Sequence, residues 1–150
     1  MRREAFERAV DAIGRRERSV AELTEWLTAR GYAEEEVAET IERLIELGEL
    51  DDERFARRYA EDKRELRGWG AERIRDALMQ RGIDRDLIET ALASESRLDQ
   101  IDRAAGLLAG RGAVLDTEAE RARALAFLAR RGYELEVAYE AVTRRKREAA

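Results

Sequence analysis

The chain has 150 residues, 42% of them charged and 6% aromatic, with no Pro, Cys or His and a net charge of −5. Without Cys or His there is no disulfide, no thiolate nucleophile, no zinc site of the usual nitrogen and sulfur type and no imidazole acid–base chemistry, so most hydrolase mechanisms lose their central residue. Only nineteen residues are Val, Ile or Thr, while Ala, Leu, Glu and Arg abound, which excludes an all-β fold and predicts an all-α one.

In chain order, residues 3–15 place Phe6, Val10 and Ile13 on one side of a first helix. A capping box, Ser19 to Glu22, opens a second helix whose apolar residues are Leu23, Trp26 and Leu27, and Arg30-Gly31-Tyr32 ends it. A third helix starts acidic, at Ala33-Glu34-Glu35-Glu36, and carries Ile41 inward. Gly48-Glu49 closes the unit. Asp52 is the expected N-cap of a helix over 53–66, with Phe55, Tyr59 and Leu66 as its core stripe. After Gly68-Trp69-Gly70, a helix bearing Ile74 and Leu78 stops at Arg81-Gly82-Ile83, and Asp84 opens the next, which bears Leu92. Beyond Ser94-Glu95-Ser96, residues 98–109 offer Leu98, Ile101, Ala105 and Leu108, in a stretch that Gly106, Gly110 and Gly112 are expected to weaken. A second capping box, Thr117 to Glu120, precedes a helix with Ala124 and Leu128, then Arg131-Gly132-Tyr133 and a last helix carrying Val142.

This is a repeat. The glycines of the three Arg-Gly-apolar turns are 51 and 50 residues apart, each has Leu four residues earlier, and each is followed after ten residues by Ile41, Leu92 or Val142. The predicted architecture is all-α: three tandem three-helix, helix-turn-helix-like repeats over 1–48, 49–97 and 98–150, in an elongated array. Gly31, Gly82 and Gly132 are predicted to take left-handed backbone at helix ends.

Net charge moves from −4 through −2 to +1 across the three units, which suits a surface laid along a larger partner better than a pocket. The overall acidity argues against non-specific adhesion to nucleic acid. Neither an apolar segment after the charged N-terminus nor a run near the ~20 residues needed to span a bilayer is found, so a cytoplasmic monomer without membrane contact is expected. Three consecutive carboxylates, Glu34 to Glu36, point about 100° apart on a helix and cannot converge on one metal ion. Their place is at the positive end of the helix dipole. A helix-turn-helix DNA reader would need Arg and polar groups there instead.

The middle unit carries the most distinctive residues. In Leu50-Asp51-Asp52-Glu53-Arg54-Phe55-Ala56-Arg57-Arg58-Tyr59, Phe55 and Tyr59 are read as core. Arg57, Lys63, Arg64 and Arg67 are expected on the far side as a cationic face, either solvated and tied by pairs such as Glu53–Arg57 and Arg57–Glu61 or used as an interface. Trp69, flanked by Arg67 and Arg73, is either tucked beneath the next helix or presented to a partner. Arg54, Arg58 and Arg75 complete the candidate set.

The run from Leu50 to Tyr59, followed by Gly70, Arg73-Ile74, Leu78 and Arg81-Gly82-Ile83, closely resembles the central signature of the RecX regulatory proteins, and the tandem repeats with Arg-Gly turns are similar to that family over essentially the whole chain. The resemblance implies a non-enzymatic regulator, without cofactor, that binds the RecA recombinase filament on single-stranded DNA. It further implies restraint of ATPase, strand-exchange and coprotease activities in repair and the SOS response. The partner-binding residues are then expected among Arg54, Arg57, Arg58, Arg64, Arg67, Trp69, Arg73 and Arg75, with single-stranded DNA as a further partner. A DNA-binding protein of tandem helix-turn-helix units and a helical scaffold of another complex are the alternatives.

Overall fold

The computed structural model describes residues 2–149; Met1 and Ala150, the outermost residues of the first and third predicted units, lie outside the described residues. Among the described residues nine helices follow in order: α1 Arg2–Arg15, α2 Val20–Ala29, α3 Glu34–Glu46, α4 Asp52–Arg67, α5 Ala71–Gln80, α6 Arg85–Leu92, α7 Arg97–Gly110, α8 Glu118–Arg130 and α9 Leu135–Ala149. No strand occurs among the described residues. They group by threes, the last helix of each trio packing on the other two.

Each trio has its own core. Leu23, Leu27, Val37, Ile41 and Leu44 build the first, joined by Leu50 from beyond the expected boundary at residue 48. Phe55, Ile74, Leu78, Ile83, Ile88 and Leu92 build the second. Ile101, Leu108, Leu128, Tyr133, Val137 and Val142 build the third. Truncating any of these leucines to Ala should cost about 2–5 kcal/mol, the usual loss of transfer energy plus a cavity.

Both predicted capping boxes form: Ser19 and Thr117 accept from the amides of Glu22 and Glu120, whose carboxylates accept from the Ser19 and Thr117 amides. Gly82 and Gly132 are left-handed, at φ +77° and +95°. There the amides of Ile83 and Tyr133 donate to Leu78 and Leu128, and those of Gly82 and Gly132 to Met79 and Ala129, a Schellman closure that turns the following apolar side chain back onto its helix.

Alanines correct several expectations. In α1 the buried stripe is Ala5, Ala9 and Ala12, and Val10 is turned out to solvent. In α4 it is Phe55, Ala56 and Ala60, so Leu66 is 78% exposed instead of joining Phe55 and Tyr59. In α7, Ala104 and Ala105 join Ile101 and Leu108 while Leu98 is exposed. Small side chains let helix backbones approach closely, and close approach buries more of the neighbouring helix than one protruding Leu or Val would. The N-cap of α4 is Asp51, whose carboxylate accepts from the Arg54 amide, and not Asp52. Despite its glycines α7 is unbroken to Gly110, because Gly106 lies on the exposed side while the apolar side packs along α9.

Candidate partner-binding surface

The functional surface is shaped by how neighbouring trios join. At the first junction the Arg81-Gly82 turn sits on the N-terminus of α2. Ser19 Oγ donates to the Arg81 carbonyl at 2.6 Å, and the Arg81 guanidinium grips both Glu22 oxygens at 2.6 and 3.1 Å. The Val20 amide donates to Asp52 Oδ1 at 2.9 Å, which is why Asp52 does not cap its own helix. Burial alone would push the Glu22 carboxyl up, but the hydrogen bonds from Arg81 and the Ser19 amide outweigh it and hold the group below the ordinary carboxylate range. Burial pushes the Asp52 carboxyl up.

The second junction repeats the arrangement one unit on. The amides of Gly70 and Glu72 donate to the carbonyls of Arg131 and Gly132 at 2.7 and 3.0 Å. A Cβ on Gly70 would stand 2.5 Å from the Gly132 carbonyl. Arg131 reaches the Arg67 carbonyl at 2.7 Å, and Tyr133 Oη, itself receiving from Arg103 Nε at 2.9 Å, donates to the Gly68 carbonyl at 2.9 Å. Arg103 also donates to the Trp69 carbonyl at 3.0 Å and pairs with Glu95. The buried Tyr133 hydroxyl is held above its ordinary pKa by desolvation.

These junctions distribute the eight candidate residues. Arg64 leaves the cationic face altogether: its side chain is 10% exposed, its Nε lies 3.3 Å from Glu95 without hydrogen-bond alignment, and its guanidinium donates to Ser94 Oγ and the Leu92 carbonyl. The turn of α4 that buries Ala56 and Ala60 also carries Arg64 inward. Burial, followed by the nearby Arg103 charge, lowers its pKa. Arg75 pairs with Glu89 at 2.7 Å, Arg58 approaches Glu17 at 3.9 Å across the first junction, and Arg54 donates to the Gly48 carbonyl at 3.0 Å.

Arg57 and Arg67 remain on the surface, and neither side chain has a hydrogen-bond or ion-pair partner among the described residues. The expected Glu53–Arg57 and Arg57–Glu61 pairs do not form. Trp69 is half-buried against the second core, with Tyr59 edge-on at 6.5 Å between centroids and with Lys63 and Arg73 at 4.8 and 4.2 Å from its ring. Tyr59 in turn stacks with Phe55 at 6.1 Å, and Arg81 stands over both rings. One ladder of rings and cations therefore runs through the middle trio between its two junctions, with Arg57, Arg67 and Arg73 exposed on that trio. The joint roles of Arg81, Glu95, Arg103 and Arg131 are not readable from the sequence: the Arg-Gly turn pattern marks Arg81 and Arg131 as turn residues, but the partners of all four lie 8 to 64 residues away and no local signal names them.

No cluster of acidic, His or Cys groups able to hold a metal ion occurs among the described residues, and no helix there is long and apolar enough to cross a membrane. Fold and surface together define a helical repeat protein whose distinctive groups stand on its outer faces and at its internal joints.

Residues 5–44 match the RecX first three-helix domain and residues 51–92 the RecX second three-helix domain. The chain is similar to a regulatory protein RecX of Mycobacterium sp. (strain JLS), 36% identical over 135 residues that cover 85% of this chain and 74% of that protein. It is also similar to one of Pseudomonas savastanoi pv. phaseolicola, 37% identical over 131 residues covering 86% and 83%. A crystal structure of RecX from Lactobacillus salivarius superposes with a TM-score of 0.89 over 97% of this chain and 96% of that one, at 20% identity, which shows the shared fold. The chain belongs to the RecX family of regulatory proteins.

Proposed function

We propose that this protein binds the RecA recombinase filament on single-stranded DNA and restrains its ATPase, strand-exchange and coprotease activities, acting in repair and the SOS response without a catalytic group. The observation that carries this reading is family membership over both three-helix domains, joined to exposed Arg57 and Arg67 and to Arg73 stacked on Trp69, all on the trio that bears the family signature. Restraint needs only a body that binds neighbouring filament subunits better in an inactive arrangement than in the active one. Three trios, taken as three binding units over 1–48, 49–97 and 98–150, can engage more than one subunit at once and gain avidity from doing so.

Direct DNA reading by the third helix of each trio is the weaker alternative. α3 begins with three glutamates, α6 has Asp86 in its first turn and α9 has Glu136, so phosphates would meet like charge at the helix N-termini. Fluorescence anisotropy with labelled protein separates the readings. Tight binding to recombinase-coated single strands, with bare strands bound far more weakly, is expected. Equal binding to bare strands would favour the DNA-binding alternative, and binding to neither would leave a scaffold for a different complex.

A further inference from the structure

The two internal junctions obey one rule. The Arg-Gly turn that ends the second helix of one trio sits on the N-terminus of the second helix of the trio before it. Ser19 and Gly70 are the receiving N-caps, and Arg81 and Arg131 precede the turn glycines. At the first junction Gly82 is pressed so close to Ala21 that a Cβ there would stand 2.5 Å from the alanine's.

Each end of the array carries the complementary half of such a joint. At one end, Arg30-Gly31 closes α2 with the same left-handed glycine, at φ +87°, yet a Cβ on Gly31 would meet nothing within 4 Å and Arg30 is exposed. At the other, Thr117-Glu118-Ala119-Glu120 repeats the receiver Ser19-Val20-Ala21-Glu22: the same capping box, the same alanine and the same carboxylate. Thr117 and Ala119 are exposed there. α8 is three residues longer than α2, which sets its N-terminus about 4.5 Å farther from its own turn, and Glu118 stands where the first receiver has Val20, while the capping hydroxyl, the alanine and the carboxylate are kept.

We propose that a second copy of this chain docks head to tail, with its Arg30-Gly31 turn seated on the N-terminus of α8. Arg30 pairs with Glu120, the Thr117 hydroxyl donates to the Arg30 carbonyl, and Gly31 lies against Ala119, each as at the first internal junction. The occupant is argued from continuity with an interface that the chain already forms, and from charge, since the first unit is net −4 and the third +1. Arg30 now stacks on Trp26, 3.6 Å from the ring centroid, and this does not oppose pairing: Arg81 stands over Phe55 while it grips Glu22. Such a contact uses different patches on the two copies, so it extends into an open row instead of closing as a dimer. The sequence reading expects a monomer, whereas these half-joints make that monomer one member of a row.

Sedimentation velocity on the full chain in low salt, from micromolar to about 1 mM, where weak interfaces become populated, tests this. The weight-average sedimentation coefficient of the wild type should rise with concentration. Arg30→Glu and Glu120→Arg should each stay monomeric, and so should Ala119→Gln, which blocks the seat and leaves the capping box intact. An equimolar mixture of Arg30→Glu and Glu120→Arg should associate again, because each then meets opposite charge. A wild type that stays monomeric throughout, variants that associate like the wild type, or a mixture that remains monomeric would each overturn the proposal.

Discussion

Three glycines with the same turn are held by different surroundings. Gly31, Gly82 and Gly132 share left-handed backbone, which costs an L-residue about 1–2 kcal/mol. Gly31 has open space where a Cβ would go; at Gly82 that atom would strike Ala21, and at Gly132 it would stand 2.6 Å from the backbone nitrogen of Arg73. Urea melts of the three Gly→Ala variants should therefore rank Gly31 as mildest and Gly132 as most severe, and equal losses would show that junction contact adds nothing to backbone strain. Glu22 gives a pH signature of the first junction. Its folded-state pKa is lowered, so its contribution is present above the unfolded value of about 4.3 and is lost below it, as pH falls through the lowered folded-state value. Stability measured from pH 7 to pH 3 should fall less steeply in Glu22→Gln than in the wild type. Asp52, whose folded pKa is raised by burial, works in the opposite sense and partly masks the effect in the wild type.

At the scale of the helix, the distinction between an interface cation and a structural one becomes measurable on α4. Arg64 is buried on Glu95, so Arg64→Glu places two carboxylates together and should cost about 3–5 kcal/mol, as breaking a buried pair does. Arg57→Glu, on the exposed side, should change stability by less than about 0.5 kcal/mol. Thermal melts of the two variants check the assignment directly. The helices themselves were legible in the sequence because capping boxes, Arg-Gly stops and 3.6-residue periodicity are local signals. Which face of each helix is buried was less legible: Val10, Leu66 and Leu98 are the more hydrophobic residues, yet Ala5, Ala9, Ala56, Ala60 and Ala104 lie at the helix contacts. Arg64 was misplaced by the same rotation. A hydrophobicity stripe weighs transfer energy, while close packing of helices rewards smallness, and the two point about a quarter-turn apart on α4.

Across the whole molecule, the joints decide whether three marginal bundles act as one body. Each bundle is about 50 residues, a size at which a single core leaves little stability to spare. The second joint concentrates Arg103, Glu95, Tyr133 and Arg131 on the backbone around Trp69, so Tyr133→Phe, which deletes the hydroxyl bonded to Gly68, should cost about 1 kcal/mol and loosen Trp69. A red shift of tryptophan fluorescence before global unfolding would report this loosening. These joints were the part least visible in the sequence, since each polar pairing spans two repeats and the repeat pattern marks the turn without marking what receives it.

The proposed contact of Arg57 and Arg67 of the middle trio with the recombinase filament is decided by the DNA-dependent ATP hydrolysis of the recombinase titrated with wild type and with a combined Arg57→Glu, Arg67→Glu variant. Both side chains are exposed, so melts of the variant should match the wild type, while two reversed charges at a filament contact should shift the inhibition curve at least tenfold to higher protein concentration, equivalent to about 1.4 kcal/mol. Unchanged inhibition by the folded double variant would contradict the assignment and place the contact on the first or third trio.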